Sequence, residues 1–198
     1  MPEATDNVSS TNTSPQESAV NETQPKPKAW LTPTRGATGW LWLSVVVIVL
    51  DQITKALVAN SLNLYENIDL LPILSLTHLH NTGAAFSMLA GASGWQRWFF
   101  VVLGVGVSVA LMIWLRRIRS NEQTLLAIGL SLVLGGALGN VIDRVWLGYV
   151  IDFVHVHWDR IGFSFAAFNV ADSAITIGAG CLLLDAFLEG RKSGDKTQ

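Results

Sequence analysis

Charged side chains inside the first long apolar run are the clearest candidates for chemistry. Asp51 and Lys55 are four positions apart, so a helix places them on one face as an ion pair in the favourable order. Charge inside a membrane segment is expensive and commonly marks a functional site. Asp51 follows eleven residues of the run, about 16 Å of helix, so we expect it at or beyond the midplane. It belongs either to a structural ion pair or to a catalytic site.

Two further aspartates point to hydrolysis by an acid pair. Asp152 is flanked by Ile151 and Phe153 in a strand-like run, and Asp172 lies in the first turn of the last apolar segment. Two carboxyls that share one proton can activate water and then protonate a leaving amine, because repulsion and burial separate their proton affinities. Spacing alone leaves the pairing open, since Asp143 with Asp172 fits about as well.

The remaining polar candidates lie at the ends of the third and fourth apolar runs. Asn140, Asp143 and Arg144 share one helix face, and the interpretation that Asp143 and Arg144 pin the outer loops is favoured. Asn169 precedes the last run, where an asparagine caps a helix well. Gly135 and Gly139 are four apart, so they allow another helix to approach closely.

Other kinds of centre have weaker support. His78 and His80, like His155 and His157, form pairs that could ligate zinc, but no HExxH pattern or third-ligand signature accompanies them. Residues 91–94 resemble a serine-nucleophile turn, although a loop tip explains them more simply. A proton or ion transporter also carries intramembrane charges, but here they gather at one end of the segments rather than along a path.

The elements that position these residues are membrane helices. The chain has 198 residues, of which 50% are hydrophobic and 14% charged, whereas soluble domains carry about 25% charged residues. Each apolar segment approaches the roughly 20 residues that cross a bilayer. The net charge of −2 offers no case for nucleic acid. The segments are Trp40 to about Ala59, Trp95 to Leu115, Thr124 to about Leu147 and about Asn169 to Leu188.

Basic residues predict the orientation. Nine of the thirteen Lys and Arg residues fall on one side of a four-span arrangement, and the long loop from Asn60 to Gly94 has none. The positive-inside rule therefore puts both termini in the cytoplasm and the polar site at the outer face. Residues 1–36, rich in Ser, Thr, Asn, Glu and Pro, are expected to form a disordered cytoplasmic tail. Residues 37–190 form the membrane domain and 191–198 a second cytoplasmic tail.

Alternating patterns in two outer segments predict short strands. Leu70 to His80 and Val150 to Trp158 alternate apolar and polar residues. The fold expected is an all-α membrane protein with four transmembrane helices and a small β-rich outer segment on the periplasmic side.

Five motifs in order carry a family resemblance, which covers about residues 37–190. Together they closely resemble the bacterial lipoprotein signal peptidases, also called signal peptidase II. The motifs are Asp51-Gln-Ile-Thr-Lys55, Asn81-Thr-Gly-Ala-Ala-Phe86, Gly135-Gly-Ala-Leu-Gly-Asn-Val-Ile-Asp-Arg144, Val150-Ile-Asp-Phe153 and Phe168-Asn-Val-Ala-Asp-Ser173.

The resemblance implies an aspartic endopeptidase of the bacterial inner membrane. Its substrates would be prolipoproteins that carry a diacylglyceryl group on a cysteine, cut just before that cysteine. The family's catalytic aspartates correspond to Asp152 and Asp172. Neither a metal nor an organic cofactor is implied; the partners are the lipidated precursors and membrane lipids, and we expect a monomer. By resemblance, the residues that support the site or contact substrate are Asp51, Lys55, Asn81, Asn140, Arg144 and Asn169.

Overall fold

The computed structural model describes residues 37–83, 94–118 and 123–194. The predicted tail at residues 1–36, most of the candidate turn at residues 91–94 and the last four residues of the chain lie outside this part.

Four helices make up most of the described chain. They are α1 (Leu41–Ser61), which follows a 3-10 turn at Ala37–Trp40, α2 (Trp95–Arg117), α3 (Thr124–Trp146) and α4 (Val170–Gly194). All four are long and apolar enough to cross a membrane. The prediction of four membrane helices is therefore confirmed. Helix α4 extends beyond the predicted span, so the start of the predicted C-terminal tail is helical.

Helix α3 is the centre of the bundle. About 61% of its most apolar stretch is buried, against 17% to 28% for the other three helices. Glycines make this contact close: a Cβ on Gly135 would stand 2.8 Å from the Ser44 carbonyl oxygen of α1, and one on Gly136 would collide with Ala171 of α4. Only hydrogen fits at these points, so α1 and the start of α4 are both held against α3.

A four-stranded antiparallel sheet joins the helices at one end. Its strands lie in the order β1 (Asn67–Leu71), β2 (Leu74–Asn81), β3 (Val150–Trp158) and β4 (Phe163–Ser164). The predicted strand from Leu70 to His80 is wrong in one respect: the run is interrupted by a turn at Pro72 and Ile73, and its first residues belong to β1. Proline has no N–H to donate to a strand ladder, which favours a turn there.

The sheet is attached to the bundle through the first half of β3. Phe153 packs against Val58 and Leu62 at the end of α1. The backbone N–H of Val154 donates to the Phe168 carbonyl oxygen at 2.8 Å, just before α4 begins. This attachment places the middle of β3 over the start of α4.

Candidate active site

Asp152 and Asp172 reach the same region from different elements. Asp152 lies on β3 with only 3% of its surface exposed. Asp172 lies in the first turn of α4 and is half-buried. Both side chains line one cavity, so the structure brings together two acids that are separated by a loop and a strand in the sequence.

Asp152 is held by two amide side chains. Asn81 donates from Nδ2 to Oδ2 at 2.9 Å, and Asn169 donates from Nδ2 to Oδ1 at 2.8 Å. The antiparallel register between β2 and β3 brings Asn81, at the end of β2, to this carboxyl. Both oxygens of Asp152 therefore have a donor, which limits rotation of the carboxyl.

Asp172 also bonds to Asn169. The Asp172 backbone N–H donates to Asn169 Oδ1 at 2.9 Å, and Asp172 Oδ2 accepts from the Asn169 backbone N–H at 3.4 Å. This reciprocal arrangement is a helix cap of the capping-box type. Asn140 also donates from Nδ2 to Asp172 Oδ1 at 2.7 Å. Asn169 thus bonds to both aspartates and sets their separation.

A buried ion cluster lies beneath this pair. Lys55 Nζ stands 2.7 Å from Asp51 Oδ2 and 2.8 Å from Asp143 Oδ2, and Lys55 is only 2% exposed. Lys55 also donates to Asn140 Oδ1 at 3.0 Å. Because that oxygen accepts from an ammonium, the Asn140 amide is oriented with its Nδ2 toward Asp172. Removing Lys55 would leave two buried carboxylates without compensation, and breaking a buried ion pair typically costs about 3 to 5 kcal/mol.

Gln52 and Ala171 complete the cluster, and sequence reasoning missed both. Gln52 donates from Nε2 to Asp143 Oδ1 at 2.8 Å. The backbone N–H of Ala171, in the first turn of α4, donates to Asp51 Oδ1 at 2.9 Å. Gln52 carries no charge, so only its position next to Asp51 within an apolar run could have indicated a role.

The alternative pairing of Asp143 with Asp172 has less geometric support. Asp143 accepts from Lys55 and Gln52, and the Ile151 backbone N–H approaches it at 3.3 Å. It is 3% exposed and does not line either of the two cavities that adjoin Asp152. The contacts of Asp143 are those of a residue that joins α1, α3 and β3.

Arg144 connects the bundle to the segment after β2. It donates to the Gly83 carbonyl oxygen at 2.9 Å and to the Asn140 carbonyl oxygen at 3.3 Å. Its guanidinium also lies 5.0 Å from the centre of the Phe100 ring. Arg144 lines the same cavity as the two aspartates, so it supplies positive charge beside them.

Two cavities meet at Asp152. The first, of about 550 Å³, is mostly apolar and continues from the aspartates along α4 to Ile175, Thr176 and Ile177. The second, of about 470 Å³, is bounded by the sheet, with Tyr65 and His155 among its lining residues. Asp152 and Asn81 line both cavities, so a bound molecule could pass from one to the other across the carboxyl.

The surroundings of Asp152 favour its protonated form. Burial raises the pKa of Asp152 from 3.8 to about 7, and the charge of Asp172 adds to the increase. The hydrogen bonds from Asn81 and Asn169 and the attraction of Lys55 act in the opposite direction but do not cancel it. A carboxyl that keeps its proton near neutral pH, next to a second carboxyl, is what an acid pair requires.

The histidine pairs lie on the sheet. The rings of His78 and His80 are 5.0 Å apart and those of His155 and His157 are 5.3 Å apart. Within the described ranges, no group of three or more His, Cys, Asp or Glu residues is placed to hold a metal ion. His155 instead contacts the Ser164 hydroxyl at 2.9 Å, and His157 contacts that of Ser75 at 2.6 Å.

The helices and this centre define a class: a multi-pass membrane enzyme whose polar site opens into a cavity at one end of the bundle. Residues 43–188 match the model of the family described as signal peptidase (SPase) II. The chain therefore belongs to the signal peptidase II family and is a protease, a hydrolase. This family removes signal peptides from prolipoproteins.

Individual relatives agree with this assignment. The chain is 54% identical over 161 residues to a lipoprotein signal peptidase of Pseudomonas fluorescens, covering 81% of this chain and 93% of that protein. It is 52% identical to one of Pseudomonas aeruginosa, with coverages of 81% and 94%.

A solved structure, described as a bacterial membrane enzyme obtained by the in meso method at 2.3 Å resolution, shares the fold. Its TM-score is 0.68 at 31% identity, covering 81% of this chain and 94% of that one. A second, at 1.9 Å resolution, has a TM-score of 0.66 at 29% identity, covering 77% and 95%.

Proposed function

We propose that the protein removes signal peptides from diacylglyceryl-modified prolipoproteins of the bacterial inner membrane. It cuts just before the lipid-bearing cysteine, and Asp152 and Asp172 activate the attacking water. The observation that carries this proposal is the Asn169 bridge: one side chain bonds to both aspartates, and both line a cavity that continues along the lipid-exposed helix α4.

The proposed reaction begins with Asp152 protonated and Asp172 ionised. The raised pKa of Asp152 supports this assignment. Asp172 takes a proton from water, whose oxygen attacks the scissile carbonyl, while Asp152 donates its proton to the carbonyl oxygen. When the tetrahedral intermediate collapses, the C–N bond breaks and the nitrogen receives the proton held by Asp172. The oxygen returns its proton to Asp152, leaving a carboxylic acid and a free cysteine amine.

The other candidate residues act through the two acids or on the substrate. Asn81 and Asn169 orient the Asp152 carboxyl, and Asn140 orients that of Asp172. Asp51 and Lys55 hold Asn140 in place from below. Arg144, beside the cavity, is suited to bind a substrate carbonyl or the lipid ester oxygens, because a guanidinium only donates hydrogen bonds.

The two cavities suit the two halves of such a substrate. The apolar cavity beside Ile175 and Ile177 would take the diacylglyceryl group, since both residues lie on the membrane helix α4. The cavity beside the sheet would take extended peptide, which can pair with strand backbone. The scissile bond then lies over Asp152, where the cavities meet.

Mapping the products of a defined precursor tests this function. Purified protein in detergent should convert a diacylglyceryl-modified prolipoprotein into a free signal peptide and a lipoprotein that begins at the modified cysteine, as mass spectrometry will show. Chelators and serine-directed reagents should leave the rate unchanged. Cleavage at any other bond, or loss of activity on chelation that zinc restores, would contradict the proposal.

The pH profile should report the proton on Asp152. Because the pKa of Asp152 is raised to about 7, the carboxyl is protonated below this pH and loses its proton above it. We expect kcat/KM to fall as the pH rises through about 7. Asn81→Ala removes a hydrogen bond that stabilises the ionised form of Asp152, so it should shift this fall in kcat/KM to higher pH.

A matched asparagine provides the control for the pH experiment. Asn60 donates only to the Ala56 carbonyl oxygen on the exposed side of α1 among its described contacts. Asn60→Ala should therefore keep the profile of the unaltered protein. If the fall in kcat/KM occurs at the same pH in Asn81→Ala, or shifts equally in Asn60→Ala, the profile reports a group other than Asp152.

We further propose that both termini are cytoplasmic and that the active site faces outward. A reporter fused after Gly91 should be detected outside, and reporters fused after Arg119 or Gly190 inside. The support is the distribution of the nine clustered basic residues. A cytoplasmic signal from the Gly91 fusion would invert the arrangement and put the site on the wrong side for an exported precursor.

A further inference from the structure

The free end of the sheet carries an apolar surface outside the four membrane helices. Its six large side chains are between 49% and 67% exposed. Two hairpins contribute to it, and they lie side by side because the His157 backbone N–H donates to the Ile73 carbonyl oxygen at 3.0 Å. We call this surface the sheet tip; it consists of Leu70, Leu71, Ile73, Trp158, Ile161 and Phe163.

The direction of β3 places the sheet tip beside the bundle. Val150 starts the strand close to the end of α3, Phe153 packs against Val58 of α1, and Val154 bonds to Phe168 just before α4. A strand that meets the ends of three helices in succession crosses them, so it lies transverse to their axes. Beyond Val154 it continues to Trp158, about 13 Å further at roughly 3.3 Å per residue. The sheet tip therefore overhangs the bundle at the level of the helix ends.

That level coincides with the membrane interface, because the four helices are membrane spans. The composition of the sheet tip suits this zone. Tryptophan, here Trp158, prefers the headgroup level because its ring is amphipathic. Arg160, exposed in the turn between Trp158 and Phe163, can extend its guanidinium to lipid phosphates while its neighbours bury their apolar parts.

We propose that the sheet tip inserts into the lipid interface around this end of the helices and anchors the sheet to the membrane. The occupant of the surface is lipid, because its side chains are apolar and exposed and lie at the level where the membrane helices end. The anchor holds β3 from its far end while the helices hold it from the near end. Asp152 lies in the near half of the strand, where Asn169 bonds to it, so the helix contacts place its carboxyl and the anchor keeps the far half of β3 from tilting away. The proposal depends on the membrane spans and not on the proposed chemistry.

A depth measurement tests the anchor without any cleavage assay. Cys181, the only cysteine, is replaced by serine, and an environment-sensitive fluorophore is attached at Ile161→Cys, a site that is 67% exposed. The full chain is placed in phosphatidylcholine nanodiscs with nitroxides either near the headgroup or near the chain end. We expect protection from aqueous iodide and stronger quenching by the headgroup-proximal nitroxide, at least about twofold over the deep one.

The same fluorophore at Leu183→Cys provides the matched control. Leu183 is 73% exposed within α4, so its label should be quenched mainly by the deep nitroxide. Full iodide quenching at Ile161→Cys with no nitroxide effect would place the sheet tip in water and overturn the proposal. Protection that arises only after precursor is added would overturn it as well, because the surface would then bind peptide rather than lipid.

Discussion

Asp152→Asn and Asp172→Asn should each lower kcat by roughly a thousandfold or more, which is the scale of general acid–base catalysis. An amide can neither accept the proton of water nor return a proton to a leaving amine. As a catalytic pair the two carboxyls would act as one unit, so the double variant should be little slower than either single variant. Cleavage of a lipidated precursor in detergent, followed by product separation, measures all three.

Two controls separate chemistry from folding. Asp69→Asn changes another aspartate of the same sheet, whose side chain is 70% exposed and bonded to Ser75 and Asn67, and it should keep nearly full activity. Thermal unfolding checks Asp152→Asn in particular. The two neighbouring amides donate to different oxygens of this carboxyl, so one donor would face the NH2 group of the new asparagine. Near-normal turnover by a folded variant of either aspartate would remove it from the catalytic pair.

Removing the diacylglyceryl group from the precursor should lower kcat/KM by at least about 100-fold, which corresponds to roughly 3 kcal/mol. Each acyl methylene moved out of water contributes about 0.8 kcal/mol, but a chain in a bilayer has already left water. In the proposed function the lipid would instead fix the position of the substrate. It would hold the cysteine at the interface and the preceding bond beside Asp152 and Asp172. Orientation of this kind can provide several kcal/mol of barrier reduction.

The assay compares three precursors of one sequence in nanodiscs: lipidated, unlipidated and Cys→Ser. Asp152→Asn with the lipidated precursor gives the background rate. The unlipidated and Cys→Ser precursors should be equally poor, because both lack the lipid and the peptide is otherwise unchanged. Equal rates for all three would leave the aspartate chemistry standing but would show that the apolar cavity along α4 does not select the lipid.

Local composition was enough to predict the architecture. Span length and apolarity are properties of each segment alone, so all four membrane helices could be located before any packing was known. The five motifs likewise identified the family, since they depend on residue type and order. The helix cap at Asn169 followed from its position before an apolar run. The turn at Pro72 was missed, although residues 70–74 do not alternate and a proline cannot donate to a strand ladder.

The composition of the site depended on tertiary contacts. Spacing left Asp143 and Asp152 as equal partners for Asp172, and only the structure shows that Lys55 and Gln52 bond to Asp143. The contacts of the site join distant residues; the bond from the Ala171 backbone N–H to Asp51 spans 120 positions of the chain.

Two features of the packing produce the contacts of the site. The glycines of α3 let the backbones of α1 and α4 come close to it, and the β2–β3 register brings Asn81 beside Asp152. Helix approach and strand register are set by the packing of the whole molecule. A local pattern could therefore name the polar residues of the site but not which of them would touch.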